Sequence, residues 1–201
     1  MGIVRQPQKT SSKEKKLKII EAGLKIFGEK GYYNTNTAEI AKLAGVSTGI
    51  VYSYFKDKKD ILLQAIQLYF QNVFKPIKTF LDNLQNKKID RLVIEGFLKV
   101  AIKAHEENYM LHEEMIALSH LDHDVHEQFL QFEIFVNNEI IGVLNSHGIM
   151  FDNMTERVHL AYNLIENLCH EYVYHKHESI DYDQMISLTT QMLLLIFESK
   201  K

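Results

Sequence analysis

Cysteine is all but missing: Cys169 is the single one in 201 residues. No disulfide can close within the chain and no metal–thiolate cluster can form, so a reducing, cytoplasmic setting is expected. Proline occurs only twice and glycine nine times. Few residues therefore interrupt long helices, and a turn-rich β fold is disfavoured. No apolar run approaches the roughly 20 residues needed to span a bilayer. Residues 1–16 are polar and basic and contain no signal-peptide-like apolar stretch. A Gly-rich phosphate loop, a nucleophile elbow, a metal-ligating helix motif and a partnered carboxylate pair are also missing. No catalytic residue, cofactor or membrane partner is expected from such a chain.

What is present is asymmetric. Residues 1–60 hold 12 Lys/Arg against 6 Asp/Glu, a net +6, whereas residues 61–201 hold 11 against 20, a net −9. All 10 histidines lie after residue 100. A basic head on an acidic body is the charge layout of a nucleic-acid-binding module joined to something else. The expected division is residues 1–60 and 61–201.

The pattern is helical throughout. After a loose polar arm at 1–12, Leu17, Ile20, Leu24 and Phe27 recur at helical spacing, with Gly31 as a stop signal. Asn36 and Glu39 form a capping box for a short helix to about Ala44. Gly45 ends it, and Ser47 caps a second short helix from Thr48 to about Phe55. Two short helices around the turn Ala44-Gly45-Val46-Ser47 are a helix-turn-helix signature. A long helix opens at Asp57, with a kink or break expected at Pro76. After a loop at 85–88, further helices are expected at about 89–106, 108–119, 124–146, 154–176 and 182–199. His120–His123 is read as a connector, and Asn153 with Glu156 as another capping box. The class is all-α, with about nine helices.

The stretch Lys18–Leu62 resembles the DNA-binding domain of the TetR (tetracycline repressor-like) family of bacterial transcription regulators. The carrying residues are Ile20-Glu21-Ala22-Gly23-Leu24-Lys25-Ile26-Phe27, Gly31-Tyr32, Ile40 through Ser47, Gly49 through Phe55, Lys58 and Ile61-Leu62. The resemblance implies an N-terminal three-helix helix-turn-helix domain and a C-terminal helical domain for ligand binding and dimerisation. Ile40, Ala41, Ala44, Val46, Val51 and Phe55 are expected to fill the core. Asn36, Thr37, Ser47, Thr48, Gly49, Tyr52, Ser53, Tyr54 and Lys58 are expected at the DNA, with double-stranded operator as the partner. Hydroxyls suit phosphates and base edges; either tyrosine could instead plug the core. Many family members carry a basic residue where this chain has Thr48, so direct guanine readout is disfavoured and an A/T-leaning operator or shape readout is favoured. Positive charge would come from Lys13, Lys15, Lys16, Lys18, Lys42, Lys56, Lys58 and Lys59.

In the acidic body, the last two helices are rich in apolar residues, and Met192–Phe197 is apolar all round. Such a helix needs cover on every side. One chain could supply that cover as an internal core; a two-chain four-helix bundle, built on Ile165, Leu168, Tyr172, Leu188, Met192, Leu195 and Ile196, is the expectation, because a symmetric operator needs a symmetric dimer. A pocket for an apolar or aromatic effector is expected among Phe70, Phe97, Met115, Phe129 and Phe132, although such residues at helical spacing more often form core. His120, His123 and His126, and His170, His175 and His177 near Cys169, keep a metal-responsive version of the fold as an alternative; no metal site is assigned. A nucleoid- or division-associated DNA-binding protein is the other alternative.

Overall fold

The computed structural model describes residues 10–84, 89–107 and 109–198. Among them are nine α-helices and no strand: α1 (Thr10–Lys30), α2 (Thr37–Leu43), α3 (Thr48–Tyr54), α4 (Lys58–Asp82), α5 (Arg91–Glu106), α6 (Tyr109–Leu121), α7 (His123–Ser146), α8 (Met154–Val173) and α9 (Tyr182–Ile196). No helix among the described residues is long and apolar enough to cross a membrane. Residues 1–9 of the expected arm and the expected loop at 85–88 lie outside the described residues.

The helices form two compact units. The first comprises the described residues of Met1–Asn72 and Met110–Leu130, and the second those of Val73–Tyr109 and Gln131–Lys201. By packing, then, the first unit runs past residue 60 and takes in α6 with the start of α7.

In the first unit, Ile19, Phe27, Ile40, Val51, Phe55, Ile61 and Leu62 are almost completely withdrawn from water. Each contributes about 1.5–3 kcal/mol by burial. The buried stripe of α1 is Ile19, Ala22, Gly23, Ile26 and Phe27. It is rotated from the expected one: Leu17 is exposed, and Ile20 and Leu24 are half-buried. Space decides this, because α4 crosses α1 at Gly23, where a Cβ would stand 2.7 Å from Ile61 Cγ2. The α2–α3 turn closes as its sequence dictates. Gly45 has φ +68, a left-handed conformation that glycine adopts without strain. It lets Val46 N–H reach the Ala41 carbonyl at 3.0 Å and Gly45 N–H the Lys42 carbonyl at 3.2 Å.

In the second unit, α5, α8 and α9 pack on one another. Ile94, Leu98, Ala161, Leu168 and Leu193 form their common core. Phe74, Ile77 and Leu81 of α4 pack with Val136 of α7.

Four expectations are corrected. α4 does not break at Pro76 but runs through it. Proline leaves the carbonyl of Asn72 without its usual partner, but Asn72 is exposed to water and Val73, Phe74 and Ile77 are buried on either side. The connector expected at His120–His123 shrinks to Asp122, whose Oδ1 accepts from the N–H groups of Asp124 and Val125 and caps α7. Asn153 makes no capping box: at φ 57, ψ 42 its side chain bonds no first-turn N–H, since capping needs an extended backbone. α8 stops at Val173 rather than 176.

Candidate nucleic-acid interface

The short helices α2 and α3 are held by their caps. Asn36 Oδ1 accepts from Ala38 and Glu39 N–H at 3.0 Å each. Glu39 Oε2 accepts from Asn36 N–H at 3.2 Å, and its Oε1 takes Lys30 Nζ at 2.6 Å. Both oxygens of that carboxylate are occupied, and its pKa is lowered first by the Lys30 hydrogen bond. Ser47 Oγ accepts from Ile50 N–H. Asn36 and Ser47 therefore build the helix starts, and their side-chain oxygens already serve backbone donors.

The exposed face of α3 carries Thr48, Gly49 and Tyr52. Tyr52 is 54% exposed, and its hydroxyl lies 2.9 Å from Thr37 Oγ1 at the start of α2. The two hydroxyls form a polar rim joining the helices. A Cβ at Gly49 would meet nothing closer than Ser47 Oγ at 3.9 Å, so backbone is open to close approach there. Ser53 Oγ donates to the Ile50 carbonyl at 2.7 Å and is half-buried. Tyr54 is buried, with its hydroxyl 2.8 Å from Ser12 Oγ of α1. It fills the three-helix core, the other role open to it.

The lysines divide by what holds them. Lys13, Lys15, Lys18, Lys42 and Lys56 are exposed, and Lys16 Nζ lies 5.5 Å over the Phe55 ring. Lys59 is held by Asp124 at 2.6 Å and Asp122 at 2.9 Å, so its charge is already balanced. Those hydrogen bonds, Asp124 first, raise its pKa. Lys58 Nζ donates to the carbonyls of Tyr32 and Thr35, at 2.7 Å each. Two of its three N–H groups thus close the corner between α1 and α2. A lone lysine at a helix start carries no sequence signal for such a buckle.

A second tie to this corner was also unseen in the sequence. Glu114 of α6 accepts from Tyr32 N–H at 2.6 Å, beside Gly31 at φ +80. Through Glu114 and Lys59, α6 and the start of α7 are attached to the helix-turn-helix at its corner and at the start of α4.

In the second unit, a partly enclosed cavity of about 90 Å³ is lined by apolar side chains of α4, α5, α7, α8 and α9, with the phenol of Tyr162 among them. Of the five residues expected at a pocket, Phe97 lines it. Phe132 packs with Phe74. Phe70 and Phe129 meet edge to face at 4.9 Å in the first unit, where Met115 is fully buried. Aromatic spacing along a helix does not say which neighbour each ring meets.

Of the seven residues expected at a dimer face, Leu188, Met192 and Leu195 form an exposed stripe on α9. Leu168 is internal core. Ile165 and Ile196 are half-buried against that core, and Tyr172 packs beside Cys169. The run 192–197 is covered on one side by its own chain and open on the other.

Residues 19–65 match the family of bacterial regulatory proteins of the TetR type. The chain is similar to the HTH-type transcriptional regulator HbdR of Aromatoleum sp. (strain CIB), 48% identical over 54 residues, which is 27% of this chain and 24% of that protein. It is also similar to the fatty acid metabolism regulator protein of Bacillus subtilis (strain 168), 42% identical over 53 residues, 26% of this chain and 27% of that protein. The match spans about a quarter of the length of these relatives. Over nearly the whole chain, the fold is similar to a crystal structure assigned to the TetR family from Mesorhizobium loti. The TM-score is 0.75 at 18% identity, covering 94% of this chain and 97% of that one.

Proposed function

The chain carries the DNA-binding domain of TetR-family transcriptional regulators over residues 19–65, and from that premise we propose that it is a cytoplasmic repressor. It binds a palindromic operator as a homodimer and leaves it when a small apolar effector binds. It acts by binding and not by catalysis. Residues 1–60 read DNA; residues 61–201 dimerise and hold the effector.

The observation that carries this reading is the exposed face of α3. Thr48, Gly49 and Tyr52 stand on it, with Thr37 bonded to Tyr52 and exposed Lys42 and Lys56 near its two ends. Hydroxyls and open backbone in a rim of lysines suit a phosphate-lined major groove. Asn36 and Ser47 support that face by capping, Ser53 from its flank, Tyr54 from beneath. Lys58 has one N–H left for a phosphate. With no Lys or Arg on α3 itself, an A/T-leaning operator or shape readout is favoured.

Two copies joined through the α9 stripe would present two such faces to a twofold operator, about 34 Å apart. Glu114 and Lys59 supply the coupling, because any shift of α6 is felt at the α1–α2 corner. The coupling is reciprocal: operator weakens effector binding by the factor by which effector weakens operator binding.

Selection from a random duplex library with the purified full chain tests the reading. Enrichment of a palindrome, A/T-leaning at the bases facing α3, is the expected result. A folded, dimeric preparation that enriches no sequence would refute it. A few promoter sites across a genome mark a regulator, and many dispersed sites an architectural protein.

A further inference from the structure

We propose that His170 and His175, at the C-terminal end of α8, hold a divalent transition-metal ion of the zinc, nickel or copper class. The site lies wholly in the second unit and is independent of the DNA face on α3.

One ring nitrogen of His170 lies within 4.8 Å of one of His175. The two rings are nearly parallel, 18° apart, with centroids 6.5 Å from each other. Two imidazoles bound to one zinc ion each place a nitrogen about 2.0–2.1 Å from it, which sets those nitrogens roughly 3–4 Å apart. His175 is exposed and His170 half-buried, so a modest turn of the His175 side chain closes the pair on an ion arriving from solvent. Imidazole donors suit zinc, copper and nickel; magnesium and calcium take oxygen ligands.

The backbone that presents His175 is fixed on both sides. Before it, Tyr174 N–H donates to the His170 carbonyl at 2.9 Å, and the Tyr174 hydroxyl donates to the His105 carbonyl at 3.1 Å. The Tyr174 ring packs beside that of His170, centroids 5.1 Å apart. After it, Lys176 Nζ lies 4.2 Å over the Tyr172 ring, and His177 N–H donates to the Tyr182 hydroxyl at 2.8 Å. Ligands held in place beforehand lose less freedom on binding. The chelate would tie the last turn of α8 to the segment that leads into α9.

The surrounding charge suits a cation. The carbonyl end of a helix carries partial negative charge, and residues 61–201 hold a net −9. The His105 ring lies 6.3 Å from that of His170, but a charge on it is matched by Glu166, 3.4 Å away.

Calorimetric titration of the chelator-treated full chain with zinc chloride, without DNA, tests this. The expected result is one tightest zinc ion per chain, not displaced by excess magnesium. His170→Ala and His175→Ala are each expected to weaken it at least about tenfold, since either leaves a single imidazole. His126→Ala, which alters another exposed histidine, is expected to leave it unchanged. Zinc should also raise the melting temperature of the unmodified chain in a concentration-dependent way, and of His175→Ala much less. His175 is exposed, so that variant remains decisive if His170→Ala, which removes a ring packed beside Tyr174, fails to fold. No saturable zinc binding by folded protein overturns the proposal. So does an unchanged zinc affinity in His175→Ala, or loss of the tightest ion in His126→Ala.

Discussion

Lys58 holds Tyr32 twice: its Nζ donates to the Tyr32 carbonyl at 2.7 Å and lies 4.2 Å from the centroid of the Tyr32 ring. The same nitrogen takes the carbonyl of Thr35, a residue only 3% exposed. Burial lowers the pKa of Lys58, as expected for an ammonium drawn partly out of water. Lys58→Ala should therefore lower the unfolding stability of the protein without DNA by about 1.5–3 kcal/mol, the range for hydrogen bonds to charged groups. Urea denaturation checks this. A stability change under 0.5 kcal/mol with weakened operator binding would mean that Lys58 serves only phosphate.

Tyr52 and Tyr54 make opposite predictions. Tyr52→Ala removes an exposed side chain and should cost under about 0.5 kcal/mol of stability, while weakening operator binding at least tenfold. Tyr54→Ala empties part of the core and should cost about 3 kcal/mol or more. Fluorescence anisotropy with the selected operator, beside thermal denaturation, separates the two. Strong destabilisation by Tyr52→Ala would remove it from the DNA face.

Leu195 is 67% exposed on α9, so Leu195→Asp leaves the fold of one chain intact. It places a charge in the middle of the proposed contact between copies, where burial without a partner is costly. Sedimentation should show a folded monomer at concentrations at which the unmodified chain is a dimer. A persisting dimer would move the interface away from this stripe.

His105 is 3% exposed, with Nδ1 2.9 Å from the Ala101 carbonyl and Nε2 3.4 Å from Glu166 Oε2. Burial opposes a charge on this ring. Hydrogen bonds with Cys169 and Glu166, and the charge of Glu166, outweigh it, so the pKa is raised above the usual histidine value. A raised folded pKa means that folding takes up a proton wherever the unfolded histidine is neutral. The resulting stability is fully present below about pH 6.5 and is lost as pH rises from there through the folded value. Unfolding free energy should fall between pH 6.5 and 9 by up to about 1.4 kcal/mol per pH unit from this group. Glu166→Gln should flatten that part of the profile. An identical profile in Glu166→Gln would show that the pair does not carry it.

The parts of this protein legible in its sequence are those set within a few residues of chain. The Asn36 box, the Ser47 and Asp181 caps and the Gly45 turn each depend on a side chain and backbone groups at most five positions away. Such signals fail where the backbone adopts a conformation that the side chain does not announce, as at Asn153 with φ 57. Helical periodicity likewise separates Tyr52 from Tyr54: at 100° per residue they point to different sides of α3. Which side faces the core, however, depends on where α1 crosses.

Contacts between distant helices were decided by tertiary packing alone. Glu114 on Tyr32, Lys59 between Asp122 and Asp124, and His105 against Glu166 each join residues more than 60 positions apart. Nothing along the chain marks such pairs. The same holds for the rings: Phe97 lines a cavity while Phe70 packs on Phe129, although both recur at helical spacing. Local hydrogen bonding and periodicity determine which segments are helices and where they stop. The packing of one helix against another determines which of their side chains are buried, paired or left open to a ligand.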